Sequence, residues 1–183
     1  MTLAAHSPIV GSRVRLRLVS LEDAHYIHSL RSNPQYNKYL SPIEGSVEVQ
    51  RKWIMKYKLL EANCAQLYYV IERLDGVKCG LVRLYGIDND TFTWGSWILD
   101  ENKPSKAALE SAILSLGVGF CLLNLGCAKV DVRIKNTHAE AFYRRLGMIE
   151  VSRTQEDIFF VYPRAAFDKA KAAYMKLLEG NSL

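Results

Sequence analysis

Several features are scarce in this chain, and each scarcity excludes a class of protein. No apolar run reaches the ~20 residues that a helix needs to cross a bilayer. Residues 1–10 lack the basic start and long apolar stretch of a secretory leader. A cytoplasmic protein with no membrane partner is therefore expected. The four cysteines, Cys64, Cys79, Cys121 and Cys127, form no C-x-x-C pair. They read as small buried side chains, Cys121 and Cys127 in a strongly apolar segment, and no metal site is expected. Glycine and proline, 11 and 5 of 183 residues, are scattered. With no linker or repeat to divide the chain, residues 1–183 read as one domain. The net charge of +5 is not gathered into a stripe with interleaved aromatics, so nucleic acid is not an expected partner. The surplus fits an anionic small ligand at most.

What is present is a globular composition, 49% hydrophobic and 23% charged. Arg13 to Leu18 alternates as a strand, with Arg13, Arg15 and Arg17 on what reads as a solvated face. Ser20 followed by Glu22 and Asp23 is a helix start, and that helix stops before Asn33-Pro34. A second helix is expected from Ser46 to about Glu61, with Trp53, Met55, Leu59 and Leu60 available for packing. Gln66 to Leu74, Lys78 to Ile87 and Thr91 to Leu99 are strands joined at Asp75-Gly76 and Asp88-Asn89-Asp90, an antiparallel meander. A long helix follows from about Lys103 to Leu123, closed by Asn124-Leu125-Gly126. Then come a strand over 129–134, a helix from Thr137 to Leu146 ended by Gly147, strands near 148–153 and 158–163, and a helix over 165–178. A meander feeding a β-α-β-α unit predicts an α/β fold, a mixed, mostly antiparallel sheet with helices on both faces.

This order, and one motif, resemble the GNAT N-acetyltransferase superfamily. After the strand at Val130–Ile134, Asn136, Ala139, Tyr143 and Gly147 meet the family's spacing, with Met148 where Phe is usual. The family's pyrophosphate loop, Gln/Arg-x-x-Gly-x-Gly/Ala, aligns with Lys103-Pro104-Ser105-Lys106-Ala107-Ala108. Ala108 keeps the last position and Lys103 a positive charge, whereas Lys106 replaces a glycine. The unpaired amides and partial positive charge of a helix start suit a pyrophosphate. Lys106 either crowds that approach or pairs with a phosphate.

The resemblance implies a splayed sheet holding acetyl-CoA as co-substrate, with no metal. Backbone groups at Trp97, Ile98 and Leu99 would pair with pantetheine and polarise the thioester. Lys103, Ser105, Lys106, Ala107 and Ala108 would hold the pyrophosphate. Asn136 would hold the far side of the arm, and Tyr143 would donate a proton to the departing thiolate as general acid. Gly95 marks a bulge or a close ligand approach. The amine must lose a proton, and His28, Asp88, Asp90 and His138 are the candidate bases. The amine-side pocket would fall around 31–44, where Arg31, Tyr36 and Tyr39 suit a ring plus a phosphate. The opening Val14-Arg15-Leu16-Arg17-Leu18-Val19-Ser20-Leu21-Glu22-Asp23 is similar both to ribosomal-protein alanine acetyltransferases and to enzymes acting on nucleotide-linked amino sugars. The basic charge favours the amino sugar. A protein N-terminus as acceptor, and a degenerate non-catalytic acyl-CoA binder, remain alternatives, and a homodimer is compatible with either.

Overall fold

Turn chemistry and strand alternation decide where the sheet begins and ends. A computed structural model describes residues 7–179. It opens with β1 (Ile9–Val10) and β2 (Val14–Leu18), then a 3-10 turn over Leu21–Asp23. Helices α1 (Ala24–Ser32), α2 (Pro34–Asn37) and α3 (Val47–Ala62) follow. The meander is β3 (Leu67–Arg73), β4 (Lys78–Asp88) and β5 (Thr91–Leu99). Helix α4 (Ala107–Gly117) runs into a π-helical turn over Val118–Leu122. The chain continues through β6 (Cys127–Arg133), α5 (Thr137–Arg145), β7 (Ile149–Arg153), β8 (Asp157–Pro163) and α6 (Arg164–Glu179).

All eight strands join one sheet in the order β1-β2-β3-β4-β5-β6-β8-β7. Every neighbouring pair is antiparallel except β5 with β6. Two apolar clusters cover its two faces. One joins the sheet to α4, α5 and α6 through Trp94, Phe120, Tyr143 and Phe167. The other joins it to α1 and α3 through Ile27, Leu30, Ile54, Tyr57 and Tyr68. The expected mixed sheet with helices on both faces is what forms. No helix among the described residues is long and apolar enough to cross a membrane.

Several local expectations are corrected. Arg15 and Arg17 are not a solvated face: both pair with the buried Glu72, and Arg17 also grips the buried Asp23 at 2.9 and 3.0 Å. Alternation placed them opposite the core, but carboxylates from β3 and the 3-10 turn cover that side. Helix α3 buries Ile54 and Tyr57, whereas Met55, Leu59 and Leu60 are exposed. The Tyr57 hydroxyl accepts the Tyr68 amide and donates to Glu61, so an aromatic with a polar tip beats the leucines for the inner stripe. The long helix begins at Ala107 rather than Lys103, because Lys106 is left-handed at φ 63°. Of the cysteines, Cys79 is buried and Cys121 is exposed. A one-turn helix at Pro34 was not expected. Asn33 caps it by accepting the Gln35 amide, and proline suits its first position.

Candidate active site

The site begins where two strands part. β5 and β6 pair only at Thr91, Phe92 and Thr93 with Cys127, Ala128 and Lys129. Beyond Thr93 they diverge, leaving the backbone edges of both strands facing a gap. The β5 edge is also reshaped. Its register against β4 slips between the pairs Arg83↔Gly95 and Leu81↔Ile98, and Ser96 takes φ 48°. The extra residue is a β-bulge that changes side-chain parity. Trp94 and Trp97, three apart, therefore point to the same face: their indoles donate to Ser115 at 2.8 Å and Ser111 at 3.2 Å, both on α4. Ile98 turns to the opposite face. Gly95 precedes the bulge, and a Cβ there would stand 3.1 Å from the Tyr85 hydroxyl.

A groove continues from this gap along α5. Trp97, Leu99, Ala108, Asn136, Ala139 and Phe142 line it, with His138 and Arg145 at its rim. The Trp97 and Phe142 rings stack at 5.0 Å to form one wall. The Asn136 side chain caps α5 by accepting the Ala139 amide. At the far end, α4 starts beside Ala108. The Ala107 amide is taken by Pro104, while those of Ala108 and Leu109 have no protein acceptor among the described residues. Left-handed Lys106 occupies the position where the family motif has glycine. Its ammonium donates to the Leu177 carbonyl at the end of α6, which is where a cation suits a helix C-terminus. Lys103 and Ser105 are exposed beside it. An apolar-walled groove ending on a helix start fits a long pantetheine arm closed by a diphosphate.

On the other side, the gap opens into a cleft of about 190 Å³. Arg31, Tyr36 and Tyr39 all line it, together with Tyr85, Asp131 and Tyr143. Arg31 donates to the Ser41 carbonyl at 2.8 Å, but its Nε and the Tyr36 hydroxyl are enclosed without partners. Tyr143 is 7% exposed and packs edge-on against Trp94 and Phe160. Burial, then the nearby Asp131 and Tyr85, raise its pKa, so the phenol keeps its proton throughout the physiological range. Asp131 opens to solvent through the cleft, yet enough protein surrounds its carboxyl to hold it above the usual carboxylate range. Asp157 adds like-charge repulsion in the same direction.

None of the four expected bases lines this cleft. His28 Nε2 faces the Gly45 carbonyl at 2.9 Å, and His138 sits in the groove. Asp88 ends β4, and Asp90 lies in the β4–β5 turn, where its carbonyl accepts the Gly126 and Cys127 amides that start the parallel pairing. Asp131, an exposed residue of the alternating Val130-Asp131-Val132-Arg133, does line the cleft and was not among the expected bases. A weak signal was available: a lone acid between valines five residues before Asn136.

Comparison with known proteins agrees with this geometry. A family model described as an acetyltransferase (GNAT) domain matches residues 13–149. The spermidine N(1)-acetyltransferase of Escherichia coli K12 is 29% identical over 150 residues, 80% of this chain and 78% of that protein. The solved structure of apo FdhC, a nucleotide-linked sugar GNAT, is 35% identical, with a TM-score of 0.85 over 91% of this chain and 96% of its own. Spermidine N-acetyltransferase from Vibrio cholerae, solved with CoA and spermine, shares the fold at 22% identity and a TM-score of 0.74, covering 86% of this chain and 99% of that one. A family model over most of the chain, and a relative of this identity over nearly all of it, lead to one conclusion: the chain belongs to the GNAT acetyltransferase family.

Proposed function

We propose that this acetyltransferase moves the acetyl group of acetyl-CoA onto the primary amine of a nucleotide-linked amino sugar. The carrying observation is the charge of the acceptor cleft. Arg31, which meets no carboxylate among the described residues, faces one carboxylate, Asp131, beside the uncharged Tyr36, Tyr39 and Tyr85, while Arg133 at the same cleft is already paired with Glu156 and Asp157. A polyamine with several ammonium groups needs the reverse balance, whereas a diphosphate ester next to Arg31 gains charge-assisted hydrogen bonds. The resemblance to a nucleotide-linked sugar GNAT supports the same choice over the spermidine enzymes.

The chain's residues then divide the work. The co-substrate supplies an activated acetyl thioester. Backbone groups of Trp97, Ile98 and Leu99 along the bulged edge hold the pantetheine arm and point a dipole at the thioester oxygen. One preorganised donor of that kind is worth roughly 3–4 kcal/mol. Asn136, Ala139 and the Trp97–Phe142 stack form the opposite wall. Lys103, Ser105, Lys106, Ala107 and Ala108 seat the diphosphate, through the free amides of the α4 start and the Lys103 charge. The Lys106 ammonium serves α6 instead. Arg31, Tyr36 and Tyr39 bind the acceptor. Asp131 takes a proton from the ammonium of the incoming amine, directly or through one water. The neutral nitrogen forms the C–N bond to the acetyl carbon, the C–S bond breaks, and Tyr143 protonates the departing thiolate. The second proton lost by the new amide nitrogen goes to solvent, from which Tyr143 is reprotonated as Asp131 releases its own proton.

Release of free thiol from acetyl-CoA, followed with uridine- and thymidine-diphosphate amino sugars and with spermidine, tests the proposal. Thiol release with a nucleotide-linked amino sugar and none with spermidine is expected. The reverse pattern contradicts it.

A further inference from the structure

Beside the acceptor cleft lies a second cavity, roofed by α1 and α3, that shares Arg31 with it. Its floor is one row across the sheet. Tyr68 on β3 pairs with Arg83 on β4, and Arg83 pairs with Gly95 on β5. Cross-strand partners share a face, so Tyr68 and Arg83 stand together under the helices. Gly95, without a side chain, leaves the row open toward the bulge and the first cleft.

The polar groups here are provisioned for something absent from the protein itself. Tyr68 is 1% exposed, and among the described residues no group meets its hydroxyl with full hydrogen-bond geometry. Burial raises its pKa, and the Arg31 guanidinium opposes that by its charge and by a hydrogen-bonding approach that falls short of full geometry. The Arg83 guanidinium carbon stands 5.1 Å from the centroid of each of the Trp53 and Tyr85 rings, within cation–π reach of both. Its Nη2 donates to Gln66, while its Nε is enclosed and unpaired. Among the described residues neither Arg31 nor Arg83 has a carboxylate partner. Glu44, which also lines the cavity, reaches neither within 4.0 Å. Burial works against the charge on Arg83. A guanidinium drawn out of water normally carries a paired anion; here two half-buried ones converge with a buried hydroxyl, and Glu44, the one carboxylate of the lining, pairs with neither.

We infer that Arg31, Arg83 and Tyr68 form an oxyanion subsite that takes the diphosphate of the acceptor, next to the amine-bearing ring in the first cleft. The planar fork of Arg83, anchored by Gln66 and flanked by two rings, suits bidentate contact with phosphate oxygens. The Tyr68 hydroxyl donates a third hydrogen bond, and Arg31 bridges the two cavities. The role assigned to the diphosphate rests on the nucleotide-sugar reading. The anion site itself stands on the unpaired groups alone.

The test uses the full chain and inorganic pyrophosphate, then uridine diphosphate, titrated by calorimetry. Both bind the native protein, and saturating CoA leaves that binding in place. Arg83→Gln weakens it at least ~10-fold. Tyr68→Phe also weakens it while keeping or raising the melting temperature, since it removes a buried unpaired hydroxyl. A structural hydroxyl would give the opposite stability result. Binding of either anion unchanged in both variants overturns the proposal. So does displacement by CoA, which would assign the anion to the co-substrate's own phosphates. If pyrophosphate binds as expected but no nucleotide-linked amino sugar is acetylated, the subsite stands and the acceptor assignment fails.

Discussion

In the proposed mechanism Tyr143 and Asp131, which line the same cleft, have opposite tasks, and desolvation raises the pKa of each. The phenol must keep its proton until sulfur leaves, and its raised pKa ensures that it does. Tyr143→Phe is expected to lower kcat ~10²-fold or more, the scale of a lost general acid, with CoA affinity nearly unchanged. Steady-state rates and a CoA titration check this together. Asp131 must be ionised to accept a proton. Its pKa is raised, so kcat/KM should fall with decreasing pH through an acid limb placed above the usual carboxylate value of ~4. Asp131→Asn should remove that limb as well as slow the reaction. A pH profile with the limb intact would exclude Asp131 as the base. Only half of this pair was legible in the sequence. Tyr143 stood at a fixed spacing from Asn136. The role proposed for Asp131 depends on the divergence of β5 from β6, which no spacing along the chain encodes.

At the scale of elements, the bulge in β5 and the ion-pair knot under β2 show what alternation cannot say. Period two predicts opposite faces for Trp94 and Trp97. The inserted residue at Ser96 puts both indoles on α4, and Gly95 was the only hint of it. The knot holds Asp23, 1% exposed, against Arg17 and Lys78, with the Ser20 amide and hydroxyl on the same carboxylate. These contacts outweigh the cost of burial and depress its pKa. A depressed carboxylate contributes stability that is full above its unfolded value of ~3.9 and is lost as pH falls through the folded value. Asp23→Ala leaves cations and a helix start unpaired, so a loss of ~3–5 kcal/mol in denaturant unfolding is expected. The sequence read Ser20 and Asp23 as a helix start, which they are. Their second role, joining that start to β2 and β4, depends on residues 6 and 55 positions away.

For the whole molecule, the proposal assigns the two halves of the reaction to the two faces of the sheet. The α4–α5 face holds the groove for the long thioester, and the α1–α3 face holds the cationic acceptor side. They communicate only where the strands part. Element order and the Asn136–Gly147 motif made the first half legible, because its contacts are mostly local or backbone. The second half gathers Arg31, Tyr68, Arg83 and Asp131 from four elements, and sequence reading found only Arg31. Its charge yields a prediction at this scale. Raising ionic strength should increase KM for a nucleotide-linked acceptor, as screening weakens its attraction to the guanidiniums, while kcat stays level. An acceptor whose KM falls with salt would mean the cleft repels its substrate.

Ala139 lies on α5 where the groove meets the cleft. A large ring there would fill the space assigned to the pantetheine arm without touching the diphosphate seat. Calorimetric titration of CoA into the native protein and into Ala139→Trp is therefore the most direct measurement. One CoA per chain bound by the native protein, and affinity reduced at least ~10-fold in the variant, is the predicted result. No heat with the native protein, or equal affinity in the filled variant, would show that CoA does not lie between β5 and β6.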